Sequence, residues 1–400
     1  MKWGVFWMEK LAPRHNFKQW LKDNRMSIIV LAAALVLFIV LRVIAAPEDA
    51  APTTDGDYAE YENAVVTNVL SDTTFADPTA DNALRGEQLL LAEVKTGQYK
   101  GETLQVSNYV GPLYGGSVEV GDGVTLLIST YSDGSHTATV YEYNRTSMLV
   151  IIALAFVLVT VLVGGKVGAK SLVALAITLA CLFWLLIPLL IKGAPTLLTV
   201  FLVCAYITVV TMVILSGTGR KSVCAMLGTV AGTAIALMFG LLAQKLARIS
   251  GMRLADVEPL LQLRQTGTPI GLQGLLVGGI VISALGAVMD VAMSIASALT
   301  EVHTVAPQMN AKELFRSGMN IGRDMVGTMT NTLILAFLGS GFALVIYLYS
   351  LSLSPHQLLS SSYLAIEVVS GISSSIGVIL SVPLTALISS VLLTKDKKHE

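Results

Sequence analysis

A bilayer core takes roughly 20 apolar residues of helix to cross, and this chain offers runs of that kind again and again. They cover approximately residues 27–46, 148–164, 171–191, 196–215, 222–247, 272–298, 326–349 and 363–393. A water-soluble fold has no use for about eight such runs in 400 residues. The charge content agrees. Asp, Glu, Lys and Arg make up 13% of the chain, against ~25% in a soluble domain, so lipid must cover what water cannot. The expected fold class is an all-α polytopic membrane protein of about eight transmembrane helices, with the lipid bilayer as its first partner. A net charge of -1 points away from nucleic acid.

The first run follows the basic stretch "KQWLKDNR". It is long for the core of a signal peptide, and Pro47 follows the only usable small-residue site, so residues 27–46 read as an uncleaved anchor. Loop charge orients the rest. Basic residues gather before the first span, at Lys166 and Lys170, at Arg220 and Lys221, at Lys312, Arg316 and Arg323, and at Lys395, Lys397 and Lys398. Eight alternating spans put all five groups on one side. That side should be cytoplasmic, with both termini, in a bacterial plasma membrane. Lys245, Arg248, Arg253 and Arg264 dissent. The organisation expected is a basic N-terminus (1–26), the anchor, an outer insert (47–145), a seven-helix domain (146–394) and a tail (395–400).

The insert opens with "PEDAAPTTDGDYAEYE", acidic and rich in small residues, which reads as a tether. Short alternating runs such as "EQLLLAEVKTG", "GETLQVSNYV" and "DGVTLLISTY" follow, separated by glycine turns. About five or six strands suggest a small extracytoplasmic barrel or sandwich. It carries no catalytic cluster, and His136 reads as a surface residue. Its use would be to bind a protein or small-molecule partner, or to act as a spacer. Cys181, Cys204 and Cys224 all fall in or beside apolar runs, so no disulfide and no metal site is expected. No cofactor is implied. "GGKVGAKS" resembles a phosphate loop but has Ala169 where a glycine belongs, and it joins two spans. Gly228 and Gly232 form a GxxxG suited to close helix packing.

One residue stands out. Asp290 lies inside the sixth run, where an ionisable side chain costs a few kcal/mol even on lenient scales. At helical spacing it belongs to a stripe of Gly279, Ser283, Gly286, Asp290, Ser294 and Ser297. A small, polar face of that kind should pack on other helices or line a cavity, because lipid would leave its groups unsatisfied. Counting residues along each span places Thr328, Asn331 and Thr332 of the next run at a similar depth, where they could hydrogen-bond the carboxyl. The last run repeats the pattern with Glu367, Ser370, Ser374, Gly377 and Ser381. A carboxyl that gains and loses a proton within a membrane is what proton coupling needs, so Asp290, Asn331, Thr328, Thr332 and Glu367 are the coupling candidates.

The segments "LGAVMDVAMSIASALTE", "ELFRSGMNIGRDMVGTMTNTLILAFLGSG" and "IEVVSGISSSIGVILSVPLTA" resemble the YibE/F family of multi-pass bacterial membrane proteins. That resemblance implies the architecture and brings no mechanism with it. Over some sixty residues the chain is also similar to the membrane module of the SecD/SecF accessories and the resistance-nodulation-division permeases. There an inward-running helix carries Gly-x-x-x-Asp, the spacing of Gly286 and Asp290. The departures are about two extra spans, Ser297 where glutamate is common, and an insert too small for a porter domain. The leading expectation is a proton- or ion-coupled transporter or export accessory. Its rival is a non-catalytic scaffold or sensor acting through the outer domain, with homo-oligomerisation open to both. An intramembrane protease would need two carboxylates in one place, and Asp290 and Glu367 belong near opposite faces.

Overall fold

The computed structural model describes residues 25–45, 58–112, 114–131, 135–249, 251–253, 257–265 and 267–395. The acidic start of the tether (47–57), the basic residues ahead of Arg25, and Lys397 and Lys398 lie outside them. The chain is mostly helical, with several long apolar helices and a small β-barrel on its N-terminal side. It divides into two compact units, Glu48–Val163 and Met1–Pro47 with Gly164–Glu400.

The first unit holds β1 (Tyr58–Asp72), β2 (Phe75–Asp77), β3 (Ala83–Val94), β4 (Thr103–Val110), β5 (Gly123–Thr130) and β6 (His136–Tyr143). β1 closes the sheet. Residues 58–65 pair with β5 and residues 64–72 with β3, and irregularities at Val66/Asn68 and Val69/Ser71 bend the strand between them. β3 pairs with β4, β4 with β6 in parallel, and β6 with β5. The result is a five-stranded ring with β2 attached to β3, the connectivity of a Greek-key barrel of the OB type. Between the two forms expected, the structure decides for the barrel. Architecture alone names no ligand.

Strand alternation makes the barrel core: Leu90, Ala92 and Val94 of β3 point inward with Val124, Leu126 and Ile128 of β5. The connection between β4 and β5 is held by a buried amide network. Gln88 Oε1 accepts from Val118 N at 3.0 Å and from Asn108 Nδ2 at 2.9 Å, which seats Val118 in the core. At Gly86 (φ +140°) a side chain would meet the Thr73 carbonyl at 2.7 Å, so the turn requires glycine.

A soluble fragment of residues 58–143 is therefore expected to give a β-type circular dichroism spectrum and a cooperative melt. A disordered spectrum would reduce the insert to a tether. Its acid limit is set by two carboxyls held below the usual range. Hydrogen bonds from Thr74 and then Gln88 favour ionised Asp72, and hydrogen bonds from Thr79, backed by Arg85, favour ionised Asp77. Lowered values contribute stability above the ordinary carboxylate pKa of about 4, and that stability is lost as pH falls through the folded-state values. The melt should stay level down to about pH 4 and drop below it, and Asp72→Asn with Asp77→Asn should flatten the drop.

The second unit is built from α1 (Arg25–Ala45), the latter part of α2 (Thr146–Cys181), α3 (Ile187–Ile191), α4 (Thr196–Ser216), α5 (Arg220–Leu246), α6 (Glu258–Gln265), α7 (Leu275–Val305), α8 (Ala311–Ser340), α9 (Phe342–Ser350), α10 (Pro355–Leu359) and α11 (Ser362–Thr394). Among the described residues six helical runs are long and apolar enough to cross a membrane, or seven when the bent pair α8–α9 counts as one. One run, Thr146–Ile191, has 46 residues. At 1.5 Å per residue that is roughly twice a bilayer core. It is broken at Gly165, whose φ of 53° no helix interior adopts, in the stretch where sequence places a loop. A π-helical turn over Leu182–Leu186 precedes Pro188, which has no N–H to donate to the helix.

The seventh span expected, residues 326–349, is not one straight helix. It bends by 62° between Ser340 and Phe342. The amphipathic lead-in ahead of it joins the same helix, which an Asn310–Glu313 capping box starts.

Helices α5, α7, α8 and α11 pack into one core through notches of small residues. Gly232 of α5 faces Gly377 of α11, where an added Cβ on either would meet the other's carbonyl oxygen at 3.2–3.3 Å. Gly318 and Gly322 of α8 admit Leu299 and Ile295 of α7 and Ala386 and Val382 of α11. Beside this core, Tyr206 Oη donates to the Ala34 carbonyl at 2.8 Å, and Lys192 Nζ to that of Ile44 at 2.7 Å, tying α1 to α4 and to the loop before it.

Candidate functional site

Helix α7 carries the stripe, and its orientation distinguishes the two uses expected of it, helix packing and cavity lining. Val277, Val281, Ala284, Val288, Ile295 and Leu299, recurring by three, four or seven, form the buried face. Gly279, Gly286, Asp290 and Ser294 lie on the opposite face and are exposed, and Ser297 is half-buried. A Cβ added at Gly279 or Gly286 would meet nothing within 4 Å. The stripe packs little within this chain, and Gly286 and Asp290 line a cavity instead. The reason is a division of labour between helices. α7 supplies branched knobs, and the small residues that receive them lie on α5 and α8: Val288 meets Gly232, Ile280 meets Gly240 and Ile295 meets Gly322.

The stripe touches α11 at one place. Ser283 Oγ and Ser374 Oγ are 3.1 Å apart, and Ser374 Oγ also donates to the Ile280 carbonyl at 3.3 Å. Ser370 of α11 is half-buried, and Gly377 is buried against Ala236 and Gly232 of α5. These α11 residues therefore serve packing with α5 and α7 together.

Asp290 opens into a cavity of about 340 Å³ between α2, α4 and α7. Its polar lining comes from Ser171, Thr178, Thr211 and Asp290, and its apolar lining includes Leu182, Ile207 and Ile282. The walls run from mid-helix to Ser171 and Leu215, which directly adjoin Lys170 and Ser216 at the ends of their segments where basic residues gather. Among the described residues the carboxylate has no hydrogen-bond partner and no ion pair. Sequence had not singled out Ser171, Thr178 or Thr211. Each is a lone hydroxyl in an apolar run, and only the packing of three helices makes them neighbours.

The other coupling candidates do not join Asp290. Contacts of Gly318 with Leu299 and of Gly322 with Ile295 put residues near 327 at its depth, so the depth estimate is sound. The side chains turn elsewhere. Thr328 Oγ1 donates to the Met325 carbonyl at 3.0 Å and Thr332 Oγ1 to that of Thr328 at 2.9 Å, the self-satisfaction open to any helical threonine. Asn331 is exposed. Glu367 is half-buried beside the α8–α9 bend, where a Cβ on Gly341 would lie 3.4 Å from its carboxyl carbon. The Ser283–Ser374 contact fixes the register of α7 against parallel α11. Glu367 lies seven residues before Ser374 and Asp290 seven after Ser283, which separates the carboxyls by roughly 20 Å along the bundle.

Cys181, Cys204 and Cys224 are free and buried. Among the described residues no three of His, Cys, Asp and Glu come together as metal ligands. A family model described as YibE/F-like protein matches residues 152–395. No curated protein and no solved structure matches the chain.

Proposed function

The chain belongs to the YibE/F-like family, and from that premise we propose that it is a proton- or ion-coupled membrane transporter or export accessory whose coupling group is Asp290. One observation carries this reading: the carboxyl sits mid-helix, unpartnered by any described residue, in a mainly apolar cavity that Ser171, Thr178 and Thr211 also line and that extends toward one end of its helices. Charged, Asp290 favours water or a cation in that cavity; protonated, it favours a dry, closed one. A difference of that kind between two states is what lets a proton shift a conformational equilibrium. The separation of Asp290 from Glu367 supports a non-catalytic role, since an aspartyl site needs its carboxylates together.

We place the protein in a bacterial plasma membrane with both ends cytoplasmic and the barrel outside. Division of the 46-residue run at Gly165, with the bent pair taken as one span, gives the eight spans. The cavity then opens toward the cytoplasm.

Cysteine substitution at Thr178 and Thr211, with the native cysteines changed to alanine, tests path and orientation together. An impermeant thiol reagent should label both positions in inside-out vesicles and neither on intact cells. No labelling from either side would remove the aqueous path, and labelling on intact cells alone would reverse the orientation.

A second reading has its own support in the barrel. Tyr61 and Tyr141 are exposed and meet edge-on with ring centres 4.9 Å apart, and Tyr109 and Tyr114 lie exposed beside each other. Exposed tyrosines suit a protein or small-molecule partner, as a scaffold or sensor would need.

A further inference from the structure

A larger cavity, of about 660 Å³, separates α1 from the latter part of α2 and from α4. It falls within the roughly 300–1,000 Å³ of ligand cavities. Most of its wall is hydrocarbon, from side chains such as Leu31, Leu35, Phe38, Ile177 and Val210. One end is different. Lys170 lines it there beside Ser27 and Gly217, and among the described residues no acidic one lines the cavity. Arg25 lies two residues before Ser27, and α5 begins three residues after Gly217 with Arg220 and Lys221. The N-cap of α5, Gly219, has no side-chain cap, so the positive end of a long helix adds to the same cationic corner.

We propose that this cavity is a binding site for an anionic phospholipid. An acyl chain lies along the Leu31–Phe38 and Ile177 walls, and the phosphate is held at the Lys170 corner. Two features set the occupant apart from bulk lipid. The cavity is bounded on three sides by helices of one unit, so a chain within it is held in a slot. Among the described residues the charge at its mouth is of one sign, which selects an anionic headgroup over a zwitterionic one. The lipid would also join α1, which has little buried surface of its own, to the rest of the helical unit.

The test uses the purified, delipidated full chain in detergent, titrated with phosphatidylglycerol or phosphatidylcholine and followed by thermal melting and native mass spectrometry. Phosphatidylglycerol should bind more tightly and raise the melting midpoint. Lys170→Gln should weaken phosphatidylglycerol binding about fivefold and leave phosphatidylcholine unchanged, while Lys170→Arg keeps the preference. Ala180→Trp, which fills the slot, should weaken both lipids. Lys170→Arg guards against misfolding as the cause of any loss. Equal binding of the two lipids by the parent chain, or a preference that survives Lys170→Gln, overturns the proposal. A matching midpoint shift from inorganic phosphate alone would assign the corner to a free anion, and cross-linking of two copies through Leu35→Cys would assign the slot to a second chain. Either result also overturns it.

Discussion

Asp290→Asn should yield a chain that inserts, accumulates and melts like the parent and has lost its activity in a cell-growth or pH-gradient assay. The substitution keeps the shape of the side chain and removes its titration. Sequence alone would add that Asp290→Leu harms packing, because the stripe reads as a helix contact. The structure reverses that expectation. Gly286, one turn away on the same face, has open space around it, and Asp290 is exposed to the same side. Leucine there should remove the cost of an acid in the membrane, roughly 2.5–3.5 kcal/mol on insertion scales, and so stabilise the chain while inactivating it. A substitution that stabilises and silences is the mark of a residue kept for function at the expense of stability. Full activity of Asp290→Asn would leave only hydrogen bonding for this site. Failure of Asp290→Asn to accumulate would make the residue structural. Neither result would disturb the lipid slot, whose test reads binding at Lys170.

The large-scale order of this chain was legible because its signals are long. Apolar runs of about 20 residues locate helices with little ambiguity, and alternation in "EQLLLAEV" located β3 and its inward residues. What could not be read is how helices face one another. A helical wheel shows which residues share a face, and Gly279, Gly286 and Asp290 do share one. It does not show whether that face meets another helix, since small residues serve equally in a notch or on an open face. Hydrogen-bond partners failed for a related reason. Thr328 and Thr332 lie near the depth sequence assigns them, yet each can bond within its own helix, and no sequence pattern separates that from a bond across helices. The bend at Gly341 was similarly hidden, because a glycine inside an apolar run is compatible with a straight helix, whereas the break at Gly165 falls where the sequence already places a loop.

The contrast between open and closed glycines gives the second large effect. Gly232→Ala should lower stability by about 1–3 kcal/mol, the usual cost of overfilling a packed interior, because the new methyl would lie 2.6 Å from Val288 Cγ1 and 2.7 Å from Ser381 Cβ. Gly377→Ala should cost at least as much. Its methyl would meet Ala236 Cβ at 2.7 Å and the Gly232 carbonyl oxygen at 3.2 Å, and a backbone atom cannot rotate away. Since both substitutions push apart the same two helices, the pair should cost less than the sum of its members. Gly286→Ala supplies the comparison. It adds the same methyl to α7 where nothing lies within 4 Å, so it should be neutral or stabilise by about 0.5–1 kcal/mol through helix propensity. Thermal melts of the three variants and the double in one detergent would read all four effects. Indifference to Gly232→Ala together with damage from Gly286→Ala would mean that the stripe on α7, and not the α5–α11 notch, is where these helices meet. It would also remove the open face on which the role of Asp290 depends.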